Sequence, residues 1–103
     1  MTYYKIIYSQ KAFSHLNGIY RYLLTESLDL RIANKIVKKI QNAVKSLKTF
    51  PFRHQKAETY FGKLTDIRQF VISNYAILYS VDEINKTIHI MGIVNCKQGR
   101  VIN

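Results

Sequence analysis

Residues 30–51 read LRIANKIVKKIQNAVKSLKTFP, and this stretch decides the fold. Ala33, Ile36, Val37, Ile40, Ala43, Val44, Leu47 and Phe50 recur every three or four positions, which gathers one apolar face on an α-helix. Lys35, Lys38, Lys39, Lys45 and Lys48 fall between them. Ser27 or Asp29 offers a side-chain oxygen to cap the start, and Pro51, which has no amide hydrogen to give, prevents the helix from continuing.

A helix this one-sided needs apolar surface to lie on. Immediately upstream, from Lys11 to about Ser27, the same spacing returns in Ala12, Phe13, Leu16, Ile19, Tyr20, Leu23 and Leu24. Ser14, His15, Asn17, Arg21 and Thr25 occupy the other side and are expected to face water. Only a few residues separate the two helices, so they pair as an antiparallel hairpin with a sheet beneath it.

The strands flank this hairpin. Residues 3–8, YYKIIY, are β-branched and aromatic, and Ser9 can cap the helix that follows. Phe52 to Thr65 is polar, has Gly62 as its only glycine and shows no second apolar period, so it is expected to be a loop. Three further strands are expected at Asp66–Ser73, Tyr75–Asp82 and Thr87–Val94, joined by Ser73-Asn74 and by Glu83 to Lys86 as an antiparallel meander. In the middle one, Tyr75, Ile77, Tyr79 and Val81 share a face, while Ala76, Leu78, Ser80 and Asp82 share the other. The last is apolar on both faces apart from His89, which predicts a central or well-covered position. Residues 95–103, NCKQGRVIN, form a polar tail carrying Lys97 and Arg100. The expectation is one α+β domain over residues 1–103, in the order β-α-α-β-β-β, with the helical hairpin packed on one face of an antiparallel sheet.

Composition narrows the function classes. The 103 residues carry 16 Lys and Arg against 6 Asp and Glu, a formal net charge of +10, which predicts a polyanionic or acidic partner. The hairpin alone holds eight basic residues (Lys11, Arg21, Arg31, Lys35, Lys38, Lys39, Lys45 and Lys48) against Glu26 and Asp29, a net of +6. Cys96 is the only cysteine and no Cys or His pair has metal-ligand spacing, so neither a disulfide nor a bound metal is expected. No phosphate-cradling glycine loop is present, and no cofactor or small-molecule ligand is expected. The absence of a membrane-length apolar run or a leader-like start points to the cytoplasm.

Several segments together resemble the RelE/ParE toxin superfamily of type II toxin–antitoxin systems. They are the opening YYKIIYS, a first helix with IYRYL, an Ala33-containing second helix running into LKTFP, DIRQFVI, the strand and turn NYAILYSVDE, and IHIMGIV. The likeness covers about residues 3 to 94 and is nearest the ParE branch. It implies a growth-inhibiting toxin held inactive by a cognate acidic antitoxin.

Two activities occur in that superfamily. A ribosome-dependent endoribonuclease of the RelE kind needs a base for the ribose 2′-hydroxyl, a cation for the phosphate and an acid for the leaving oxygen. Arg68, Tyr79, His89, Lys97 and Arg100 are the candidate pieces, acting on the ribosome and its messenger RNA. Each also has a plainer explanation: Arg68 as partner of Asp66 or Glu83 or as a residue that orients the sheet, Tyr79 as core beside Ile77 and Val81, His89 as a strand histidine, and Lys97 and Arg100 as solvated tail charges. The strand position resembling a family phosphate-binding arginine is Ala76, and nothing after His89 in the chain is Tyr or His. The ParE-like reading is a binding protein that poisons DNA gyrase without a catalytic residue of its own. Long paired helices, IYRYL and LKTFP favour it, with Arg68, Lys97 and Arg100 as target contacts. A basic nucleic-acid-binding module with no toxin role is the third reading, but its usual aromatic signature is missing.

Overall fold

The computed structural model describes residues 3–49, 51–52 and 67–96. Its elements are β1 (Lys5–Tyr8), α1 (Gln10–Ser27), α2 (Leu30–Ser46), β2 (Arg68–Ile72), β3 (Tyr75–Asp82) and β4 (Thr87–Asn95). This is the expected β-α-α-β-β-β order, with both helices on one side of a four-stranded sheet.

Both helices begin where capping chemistry places them. Ser9 Oγ accepts from the Ala12 amide at 2.9 Å, and the Asp29 carboxylate accepts from the Arg31 amide at 2.9 Å. Each therefore satisfies an orphan donor of a first turn. Ser27, the other candidate cap, instead donates to the Leu23 carbonyl at 2.6 Å, inside the preceding helix. The end of α2 comes earlier than Pro51 implies. Leu47 and Lys48 donate to carbonyls three residues back, at 3.1 Å each, and the chain tightens into a turn over residues 47–49. Leu47 is nevertheless fully buried, so the apolar spacing outlasts the α-helix itself.

The sheet runs in the order β1-β4-β3-β2. β2, β3 and β4 form the expected antiparallel meander, and β4 lies centrally between β1 and β3. One feature differs: β1 pairs with β4 in parallel, Lys5 opposite Thr87 through Tyr8 opposite Ile90, so the sheet is mixed rather than wholly antiparallel. The helical hairpin returns the chain across the sheet, and the meander then needs three passes before β4 arrives beside β1. An odd number of passes leaves β4 pointing the same way as β1.

Tyr75, Ile77 and Tyr79 of β3 and Ile88, Ile90 and Ile93 of β4 face the helices and meet Leu16, Ile40, Val44 and Leu47 in a single core. Ile36 and Val37 pack against it, half-buried. β4 carries a bulge: Leu78 stands opposite Gly92 but Tyr79 opposite Ile90, leaving Met91 as the extra residue. That irregularity shapes the junction with α1.

Candidate functional site

β1 ends at Tyr8, so the outer edge of β4 beyond Ile90 has no strand beside it. The start of α1 covers this edge. The Ser9 amide donates to the Ile90 carbonyl at 2.9 Å, Ser9 Oγ donates to the Met91 carbonyl at 3.2 Å, and the Ile93 amide donates to His15 Nδ1 at 3.1 Å. His15 was expected on the watery side of its helix; it is instead half-buried and does the work of a missing strand. Periodicity sorts residues by polarity, and it has no means of showing that a polar side chain will meet an open backbone edge. A Cβ added to Gly92 would stand 3.3 Å from the His15 ring, so the glycine is what lets the ring lie flat on the bulged strand. Accepting at Nδ1 requires an uncharged ring, and desolvation, with nearby Lys11 second, holds its pKa below the usual histidine value.

Beside His15 lies an open groove of about 320 Å³ lined by Ser14, Gly18, Tyr22, Tyr75 and Asn95 among others. Gly18 has nothing within 4 Å of where a Cβ would be, so its lack of a side chain helps keep the groove open.

The described candidates for nuclease chemistry do not converge on one face: Arg68 and Tyr79 are neighbours, and His89 stands apart from them. Tyr79 is fully buried on the helix side of β3, and its hydroxyl donates to the Pro51 carbonyl at 2.7 Å. Arg68 stands directly across from it on β2, half-buried, with its guanidinium 5.0 Å from the centre of the Phe52 ring and Nη1 donating to the Phe52 carbonyl at 3.4 Å. The Tyr4 ring meets Phe52 edge-on at 6.5 Å. These residues together fasten the segment after α2 to the sheet. His89 lies on the opposite face, half-buried between Ile7 and Ser80, because its neighbours Ile88 and Ile90 point into the core. Ala76, the position likened to a phosphate-binding arginine, is fully buried. Lys97, Arg100 and Asp66 lie outside the described residues.

On the far side of the hairpin, β1 and α2 bound a second groove of about 420 Å³. Ile6, Tyr8 and Val44 supply apolar surface, and Lys38, Lys45 and Lys48 are exposed along its helical flank. Burial pushes the Tyr8 hydroxyl above its ordinary pKa. Among the described residues the one ion pair joins Arg31 to Asp29 at 3.4 Å, so none of these three lysines is matched by a carboxylate there. No cluster of three potential metal ligands occurs among the described residues, and no described helix is long and apolar enough to cross a membrane.

The family whose pattern matches this chain is described as "ParE toxin of type II toxin-antitoxin system, parDE", over residues 6–98. No curated protein matches by sequence. Among solved structures, a chain of the chromosomal ParDE toxin–antitoxin system from P. aeruginosa superposes with a TM-score of 0.73 at 19% identity, covering 89% of this chain and 95% of that one. A chain of the RelBE2 toxin–antitoxin complex from Mycobacterium tuberculosis gives 0.64 at 17% identity, covering 90% and 98%. At these identities the two superpositions speak for the fold.

Proposed function

The chain belongs to the ParE toxin family of type II toxin–antitoxin systems, and from that premise we propose that it arrests growth by binding and poisoning DNA gyrase in the cytoplasm, and that a cognate acidic antitoxin silences it. The observation that carries gyrase poisoning over messenger RNA cleavage is the position of Tyr79. A cleavage site needs its base, cation and acid within hydrogen-bond reach of one phosphate. Tyr79 is inside the core with its hydroxyl committed to Pro51, while His89 is on the other face of the sheet. A toxin that acts by binding needs no such convergence.

The antitoxin reading is supported by the net charge of +10 and by the P. aeruginosa and M. tuberculosis neighbours, both from toxin–antitoxin systems. Arg68, Lys97 and Arg100 are the proposed contacts with gyrase or its DNA. Because Arg68 also holds Phe52, its substitution is to be read alongside a stability measurement.

Purified protein added to gyrase is expected to inhibit supercoiling and to accumulate cleaved DNA, and added to translating ribosomes to leave messenger RNA intact. Codon-specific cleavage on ribosomes with gyrase unaffected would reverse the assignment.

A further inference from the structure

We propose that the groove beside His15 holds one unpaired nucleobase of a nucleic acid strand, stacked on Tyr22 and hydrogen-bonded by the His15 ring. This goes beyond gyrase poisoning, which assigns the groove no part. Deoxyribose and ribose strands share the chemistry, and the test separates them.

Gly18 supplies the first argument. It lies in the middle of α1, where glycine is less favourable than alanine. Gly92 is accounted for by the His15 ring, 3.3 Å from where its Cβ would be. Gly18 has nothing within 4 Å of that position and a helical backbone, so neither crowding nor a left-handed turn calls for glycine there. What the missing side chain does is leave the helix backbone bare along the groove, where a flat group can lie against it. Lys11, His15, Gly18 and Tyr22 follow one another at intervals of four, three and four residues and so share this face of α1.

The lining identifies the occupant. His15 Nδ1 accepts from the Ile93 amide, so the ring carries its hydrogen on Nε2, a donor that no described hydrogen bond uses. Tyr22 is 51% exposed and offers a ring for stacking. Desolvation, with Tyr22 second, raises the pKa of Tyr75, so its hydroxyl stays protonated at neutral pH and can both donate and accept. Among the described residues no charged side chain lines the groove, so the group held there is neutral. Lys11 is exposed one turn before His15, on a chain of net charge +10, which suits the phosphates on either side of a base. About 320 Å³ is at the small end of the range for ligand pockets. A paired base keeps its faces within the stack, so the strand must be unpaired. An apolar side chain of a partner protein would fill the slot but leave the His15 donor unmatched, whereas every base pair has acceptors on its edges.

The test uses the full chain and two labelled single strands of equal length, one wholly abasic and one carrying a single base, each made with deoxyribose and with ribose. Affinities are read by fluorescence anisotropy at fixed salt, since the phosphates alone attract so basic a protein. The strand with the base is expected to bind at least about fivefold more tightly than the abasic one. Gly18→Leu, which fills the groove, and Tyr22→Ala, which removes the stacking ring, are expected to abolish that preference and leave abasic binding within about twofold of wild type. Phe13→Ala removes an aromatic ring that is 58% exposed on the same helix but does not line the groove, and should keep the preference. Thermal melts are expected to show Gly18→Leu at least as stable as wild type, because leucine favours the helix and meets no neighbour. A preference in the deoxyribose pair alone identifies DNA as the source of the base, and one in the ribose pair alone identifies RNA. Equal binding of base-bearing and abasic strands by wild type in both sugars overturns the proposal, and that comparison needs no substitution. A preference that survives both groove variants overturns it too. Weaker gyrase inhibition by Gly18→Leu, with no preference for the base in wild type, would reassign the groove to a protein partner.

Discussion

The two helices lie on the same side of the same sheet and are held there by different means. α2 buries Ala33, Ile40, Ala43 and Val44, with Leu47 just beyond its end, and gives its other side to lysines. α1 fully buries only Ala12 and Leu16, leaves Phe13 and Tyr22 more than half exposed, and adds polar bonds from Ser9 and His15 to the backbone of β4. Hydrophobic packing is tolerant of direction, and an apolar stripe suffices to specify it. A side chain that completes a backbone edge must instead be in one place, opposite one amide. The helix with the more regular stripe is thus the simpler one, and the less regular helix carries the directional contacts.

The largest expected effect comes from the apolar half of this contrast. Ile40→Ala removes a side chain that is 1% exposed and is expected to cost roughly 2 to 5 kcal/mol in urea denaturation. Leu16→Ala is expected in the same range but nearer its lower end, since α1 has the groove beside His15 into which neighbours can relax. Equal, small losses at both positions would mean that the helices do not share the core.

His15 tests the directional half. His15→Ala leaves the Ile93 amide without its acceptor and is expected to cost about 1 to 2 kcal/mol. The pH dependence has a definite sign. The folded protein holds His15 below its ordinary pKa, so in acid the unfolded chain takes up the proton more readily. This contribution is whole above about pH 6.5 and is lost as the pH falls below it towards the folded value. Asp82, whose carboxyl Asn85 holds below the ordinary carboxylate value through side-chain and backbone hydrogen bonds, titrates in a lower window. His15→Asn keeps an acceptor near the Nδ1 position and removes the titration. Its stability, followed by thermal melts from neutral to mildly acid pH, should fall less than that of wild type. Parallel declines would detach the effect from His15.

These two residues also mark how far the sequence could be read. Ile40 declares itself because burial follows from spacing, and Tyr79 was legible as core because it alternates with Ile77 and Val81. Ser9 and Asp29 were legible because a cap acts on the residues beside it. β1 showed its strand character in YYKIIY, but nothing local in it encodes which strand will be its neighbour, so its parallel pairing with β4 was out of reach. The bulge at Met91 and the fit of His15 against Gly92 depend on two segments far apart in the chain. Among the site candidates, alternation within each strand left open how the faces of Tyr79 and His89 relate, because that depends on the bulged register of β3 on β4. The contacts of Arg68 with the Phe52 ring and carbonyl were out of reach, because no periodic pattern connects Phe52 to β2.

The smallest effect is expected where the two helices join. Leu28 ends α1 in the left-handed region, with φ 55°, and its amide donates to the Leu24 carbonyl at 2.9 Å. Glycine usually fills such a position because a Cβ is crowded there, at a cost of roughly 1 to 2 kcal/mol. Leu28 is 87% exposed, so its side chain contributes almost no packing to offset that strain. Replacing it with glycine relieves the strain but loosens the unfolded chain by about 0.5 to 1 kcal/mol. The balance for Leu28→Gly is a gain of roughly 0.5 to 1 kcal/mol, whereas Lys38→Ala, on the exposed side of α2, should stay within about 0.5 kcal/mol of wild type. Urea denaturation of the two variants together separates relief of strain from an ordinary surface change. A loss of stability in Leu28→Gly would mean that the leucine makes contacts its exposure does not reveal, and that the junction, like the start of α1, is held by something more particular than spacing.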